Sequence, residues 1–222
     1  MVTNILAMSL FGLASINPFA QPTAMPQAQP QVQILAKSDF SLADRYPVKS
    51  VSDVFKDNIL LTLQYMEGDV DPKHVSWEAV EKPFTYSFTL KPKETFAFHK
   101  DVLPQYQDSL VKTTNADFSS DQGFKSDGYL VGDGVCHLAS FINVAAKAAK
   151  LDVYAPTNHN FAVIPDVAKE DGVAIYDTPD NKAASEQQNL YITNNQDKPV
   201  EFTFTYKDDM LEISITEENS SI

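Results

Sequence analysis

The sequence predicts an α+β domain, a mainly antiparallel sheet packed against one or two helices. Three observations carry that expectation. Residues 51–66 and 132–151 repeat apolar side chains at three- and four-residue spacing, the period of a helix face. Residues 84–90, 200–206 and 210–216 alternate apolar and polar side chains, the period of a half-buried strand. Runs of strand-like segments apart from the helices favour α+β over an alternating α/β order. The 222 residues are 43% hydrophobic, with 14 Phe and 9 Tyr, enough for the core of one domain over residues 40–216.

The first 36 residues carry no charged side chain. Residues 5–16 are apolar enough for the central region of an export signal, and Asn17-Pro18 breaks the run too early for a membrane span. Residues 1–20 are therefore expected to be signal-like, although the segment lacks a basic start and neither Ala20 nor Ala24 has a small residue at −3. Pro22, Pro26 and Pro30 space a Gln-rich linker over residues 21–39. The expected setting is extracytoplasmic, secreted or membrane-anchored, with membrane contact only through an uncleaved N-terminus.

Within the domain, Val54, Phe55, Ile59, Leu60, Leu63 and Met66 form one face of a helix over 51–66, capped by Ser52 or Asp53 and ended by Gly68. Residues 73–82 are ambiguous. A strand over 84–90 and a short one over 95–99 follow. Residues 101–126 read as a polar loop with few apolar anchors. Residues 132–151 begin with Gly132-Asp133-Gly134 and continue as an Ala-rich helix. Strands are expected at 153–155, 161–164, 173–176 and 190–193, with a polar connection over 177–188. A hairpin turning at Lys207-Asp208-Asp209 closes the domain, and residues 217–222 form a disordered tail.

Charge and cysteine content narrow the function. There are 17 Lys plus Arg against 30 Asp plus Glu, a formal charge of −13, which repels phosphate backbones and argues against nucleic-acid binding. One cysteine leaves no internal disulfide, no Cys-rich zinc site and no CxxC redox pair.

That cysteine, Cys136, falls in the first turn of a helix, where the dipole and unpaired N–H groups favour a thiolate and could form an oxyanion hole. His159, at the mouth of an expected strand, is the candidate base, and Asp171 or Asp177 the candidate to orient it. The order Cys, His, Asp occurs in transglutaminase-like and papain-like thiol enzymes. The alternative is a small buried hydrophobe. His137 adjoins the cysteine and points away from it; His99 and His74 read as surface histidines. A metal site from Cys136, His137, His159 and His99 follows no ligand spacing, so neither metal nor cofactor is expected. The alternating aromatics Phe84, Tyr86, Phe88, Phe202, Phe204 and Tyr206 read as core and cross-strand pairs rather than a sugar-binding face.

Several segments together resemble the VanW-like family, extracytoplasmic bacterial domains named after a protein encoded in some vancomycin-resistance clusters. Phe96-Ala97-Phe98-His99 stands for its FSFN-like piece, Gly128-Tyr129 for its GY, and Gly132-Asp133-Gly134-Val135-Cys136-His137 for its GGG-I/V-C-Q turn. His159 matches the family histidine, Asp171-Gly172-Val173-Ala174 its D-A-T-V segment, and residues 190–194 its asparagine-ending strand. Asp133 replaces the middle glycine and His137 the glutamine. The resemblance covers residues 84–215 and implies a cell-envelope setting linked to peptidoglycan. Two functions follow: a cysteine-dependent acyl transferase or amidase acting on an envelope peptide through Cys136, His159 and Asp171, or a non-catalytic envelope-binding module. A redox-sensing thiol is a third.

Overall fold

The computed structural model describes residues 31–68 and 70–219. It is an α+β structure with two four-stranded sheets. The signal-like segment 1–20 and the first part of the linker lie outside the described residues.

The first sheet is built from β1 (Gln31–Ser41), β2 (Phe84–Leu90), β7 (Val200–Lys207) and β8 (Met210–Asn219), in the order β1-β8-β7-β2, with all pairs antiparallel. The linker expected over 21–39 is therefore too long: residues 31–39 are sheet. Ala36 and Phe40 point into the core opposite Ile215 and Leu211, and Lys37 pairs with Glu212 at 2.7 Å. Glu217 likewise belongs to β8 and bonds Lys198 at 3.0 Å, so residues 217–219 of the expected tail are sheet, and residues 220–222 lie outside the described residues. β7 and β8 turn through Asp208 and Asp209, both at positive φ (52° and 58°), the two-residue geometry that matches strand twist. Phe202 and Phe204 are fully buried, and Phe88 stacks on Phe202 at 5.0 Å, so these aromatics are core and cross-strand pairs.

Two helices cover this sheet. α1 (Lys49–Glu67) buries Ile59, Leu60, Leu61 and Leu63 and ends at Gly68, whose φ of 103° allows its N–H to bond the Gln64 carbonyl. Neither Ser52 nor Asp53 caps it; the N-cap is Val48, and Ser52 Oγ instead ties the chain before the helix, donating to the Ala43 carbonyl and accepting from Arg45 N–H. A short α2 (Trp77–Val80) fills the ambiguous segment. α3 (Val135–Ala148) packs on β1 and β8, with Phe141 stacked on Phe40 at 4.0 Å.

The second sheet, β4-β3-β6-β5, is mixed: β3 (Thr95–Ala97) runs parallel to β4 (Leu110–Lys112) and antiparallel to β6 (Tyr191–Thr193), which pairs antiparallel with β5 (Asp152–Tyr154). Buried Asn194 joins the sheets, donating to the Leu90 and Lys198 carbonyls and accepting from Gln196 N–H. A helix α4 (Lys182–Gln187), capped by Asn181, occupies the expected polar connection.

Three expectations change. Residues 101–126 are better anchored than their polarity suggests: Val102, Leu103, Ala116, Phe118 and Phe124 are buried, and the segment holds β4 and two short 3-10 turns. Residues 161–164 form no strand, with Phe161 76% and Val163 88% exposed. Residues 173–176 run extended and form one bridge, Val173 to Asn158; Ala174 N–H donates to the Thr157 carbonyl, while Val173 N–H and both backbone groups of Ile175 are bonded by side chains of α3.

Candidate functional site

A cleft of about 200 Å³ lies where the start of α3 meets the segment before α1, the loop after Asn158 and the extended run ending at Asp177. Cys136, His137, His159 and Asp177 all line it, so the structure brings the predicted cysteine and histidine to one cavity.

The turn into α3 is set by α1. Asn58, fully buried, donates to the Lys125 and Asp133 carbonyls and accepts from Lys125 N–H. Gly134, at φ 99°, lies against the backbone of Phe55: a Cβ there would be 2.5 Å from the Phe55 carbonyl oxygen. Only glycine satisfies both the left-handed conformation and that approach. Cys136 follows in the first turn, as the sequence predicts.

The chemistry of the sulfur differs from the expectation. Cys136 Sγ donates to the Ile175 carbonyl at 3.4 Å and accepts from Ile175 N–H at 3.3 Å. One turn on, Ser140 Oγ accepts from Val173 N–H at 2.9 Å; then Asn143 donates to the Asp171 carbonyl at 2.8 Å, and Lys147 Nζ meets the Asp171 carboxylate at 2.6 Å. Positions 136, 140, 143 and 147 form one helical stripe. That stripe stitches the extended run 171–175 along α3 and satisfies backbone groups that a neighbouring strand would otherwise take. Cys136 and Asp171 are thus two ends of a structural seam.

The triad does not assemble in the form the sequence suggested. Asp171 faces Lys147 and is absent from the cleft lining. Among the described residues His159 Nδ1 has no hydrogen-bond partner and His159 forms no ion pair with a carboxylate. Asp177, the alternative orienting group, serves another histidine: His99 is fully buried, and its Nε2 lies 3.3 Å from Asp177 Oδ1. His99 is therefore not a surface residue. Its Nδ1 accepts from Asp101 N–H, which places the ring proton on Nε2. His99, Asp101 and Asp177 bring ligand-type atoms within 4.8 Å of one another; with the ring proton on Nε2, His99 faces the Asp177 carboxylate as a close polar contact without hydrogen-bond geometry. His74, as expected, lies at the surface, against Asp71.

Electrostatics point the same way. Cys136 keeps some surface, yet burial pushes its thiol up to about 11, with the Asp133 carboxylate adding to the rise and the Ile175 N–H opposing it. Desolvation outweighs the helix dipole here. Burial, with Arg45 and His159 nearby, drives His137 down to about 3, and burial also lowers His159. Asp133, half enclosed, rises to about 6. At neutral pH Cys136 is therefore a thiol and both imidazoles are uncharged, in a cleft that Arg45, Asp117, Asp133 and Asp177 also line.

The seam makes a direct prediction. Replacing Asp171 with Ala removes a partly solvent-exposed ion pair, and the expected loss of stability is below about 1 kcal/mol. The alkylation rate of Cys136 should stay within about twofold of wild type. A large change in that rate would restore Asp171 to the site.

Arg45 was not singled out by the sequence reading. The signal was there: it is the only arginine in the chain, and the structure buries it to 3% exposure beside the cleft. Set against protein-family models, curated proteins and solved structures, the chain matches none of them. Among the described residues, no helix is long and apolar enough to cross a membrane.

Proposed function

We propose that the chain is an extracytoplasmic, VanW-like envelope domain whose cleft holds a peptidoglycan-derived ligand without forming a covalent bond to it. The envelope setting rests on the residue-level resemblance and on the uncharged apolar N-terminus. The non-covalent reading rests on one observation: the Cys136 sulfur is occupied by both backbone groups of Ile175, with its thiol pushed up to about 11. A nucleophilic cysteine needs the opposite, a free sulfur with a depressed pKa and an oriented base.

The test is co-sedimentation of the full chain with purified peptidoglycan sacculi. Wild type and Cys136→Ser should sediment alike. No sedimentation of wild type, or its loss in Cys136→Ser, overturns the reading. In parallel, iodoacetamide at pH 7 should label folded Cys136 about a hundredfold more slowly than the urea-unfolded chain, in proportion to the thiolate fraction lost.

Thiol-dependent acyl transfer is the second reading. It is favoured by Cys136 standing in the first turn of α3 while His159 lines the same cleft. It requires labelling faster than that of an unfolded thiol, slowed by His159→Ala.

A further inference from the structure

The floor of the cleft holds polar atoms that the seam does not use. Arg45 spends its terminal nitrogens on the protein, Nη1 donating to the Pro165 carbonyl at 3.2 Å and Nη2 to the Asp166 carboxylate at 2.6 Å. Among the described residues its Nε–H has no acceptor. His137 and His159 are 5% and 7% exposed, and among the described residues Nδ1 of each lacks a hydrogen-bond partner. These groups are neighbours. The guanidinium carbon lies 5.3 Å from the Phe141 ring centre, the His137 ring 6.3 Å from the same centre, and the His159 ring 6.5 Å from His137. Buried polar groups are nearly always satisfied in folded proteins, so three unused ones around a single cavity indicate a ligand that completes them.

The rim has the opposite character. Leu130 and Val131 on one side, Phe161 and Val163 on the other, are exposed apolar side chains, and all four line the cleft. The seam fixes the inner wall at Ile175, so the rim and the floor together define the ligand.

We propose that the cleft recognises a carboxylate attached to an apolar body. The carboxylate accepts from Arg45 Nε–H and from an imidazole N–H of His137 or His159, and the apolar body lies between the two rims. Asp166 already balances the arginine charge, so recognition works through directed N–H donors and exclusion of water rather than through a strong field. No bond is made or broken. The inference rests on the non-covalent reading above and gives it a ligand chemistry. That chemistry is shared by small free acids and by the C-terminal carboxylate of a peptide.

Calorimetric titration of the full chain tests it with matched pairs. The first pair is 3-phenylpropanoate and 3-phenylpropanamide; the second is the tripeptide Ala-Ala-Phe with a free and with an amidated C-terminus. Each acid should bind at least about tenfold more tightly than its amide. Arg45→Lys, which removes Nε–H and keeps the charge, should bring the acid down to the affinity of the amide. Because that variant disturbs a buried residue, the wild-type imidazole nitrogen signals give a second readout: those of His137 or His159 should shift with acid and not with amide. A tripeptide acid binding more tightly than phenylpropanoate identifies a peptide terminus as the source, and the reverse order identifies a small acid. Equal affinity for acid and amide, no binding of either up to about 10 mM, or unmoved imidazole signals would overturn the proposal. Sacculus sedimentation is scored separately: sacculi bound without acid selectivity reject only the carboxylate, and acid selectivity without sacculus binding rejects only the envelope ligand.

Discussion

Gly134→Ala is expected to destabilise the domain by about 2–5 kcal/mol, although it adds a single methyl group. Two costs add. A non-glycine residue at φ 99° is strained by about 1–2 kcal/mol. The new Cβ would also meet the Phe55 backbone, at 2.5 Å from its oxygen and 2.9 Å from its Cα. Those atoms belong to the middle of α1 and cannot swing aside as a side-chain tip could, so α1 and α3 must separate, a typical overpacking cost of about 1–3 kcal/mol. The separation would also open the Asn58 contacts to Lys125 and Asp133 that hold the turn. Urea unfolding followed by circular dichroism measures the effect. A loss under about 0.5 kcal/mol would show that the turn is not held as described.

Acidification is the second large effect. His137 binds a proton near pH 6.5 when unfolded and near 3 when folded, so its stabilising contribution is full above 6.5 and declines as the pH falls toward 3. His159 and His99, both lowered by burial, lose stability in the same direction. Asp133 acts oppositely: its pKa is raised to about 6, so the folded state takes up that proton first and stability returns between about 6 and 3.8. Three histidines against one carboxyl leave a net loss of stability between pH 7 and 4.5, because the His137 loss outweighs the Asp133 return and His159 and His99 add to it. Unfolding free energies across that range should show it. Asp133→Asn should steepen the fall, and His137→Phe should flatten it. Stability that stays level or rises on acidification would contradict the assigned environments.

The large periodic elements were legible in the sequence. α1, α3 and the β7–β8 hairpin each have one buried face, and burial of one face is what periodicity records. The segments read incorrectly are those stabilised by something other than a repeating face. Residues 173–176 look like a strand because Val173, Ala174 and Ile175 are apolar and extended, but Ser140 and Cys136 take the bonds a partner strand would. Residues 161–164 have strand composition, yet two of their apolar side chains project outward at the cleft rim. Residues 101–126 conceal their anchors because Val102, Leu103, Ala116, Phe118 and Phe124 recur at no regular interval. Cys136 and His159 line one cleft. The function assigned to the thiol depended on desolvation, which composition does not reveal and which here exceeds the pull of the helix end. Arg45 escaped because a single arginine before a helix has no motif around it.

The side-chain seam on α3 makes this part of the fold unusually intolerant of length changes. Each residue of a helix advances the ring of side chains by about 100°. Deleting one residue between Cys136 and Lys147 would swing every contact beyond the cut away from its partner in residues 171–175 at once. Point substitutions along the helix can be absorbed one contact at a time, whereas insertions and deletions are all-or-none. A library of single-codon deletions should therefore leave a gap across this helix.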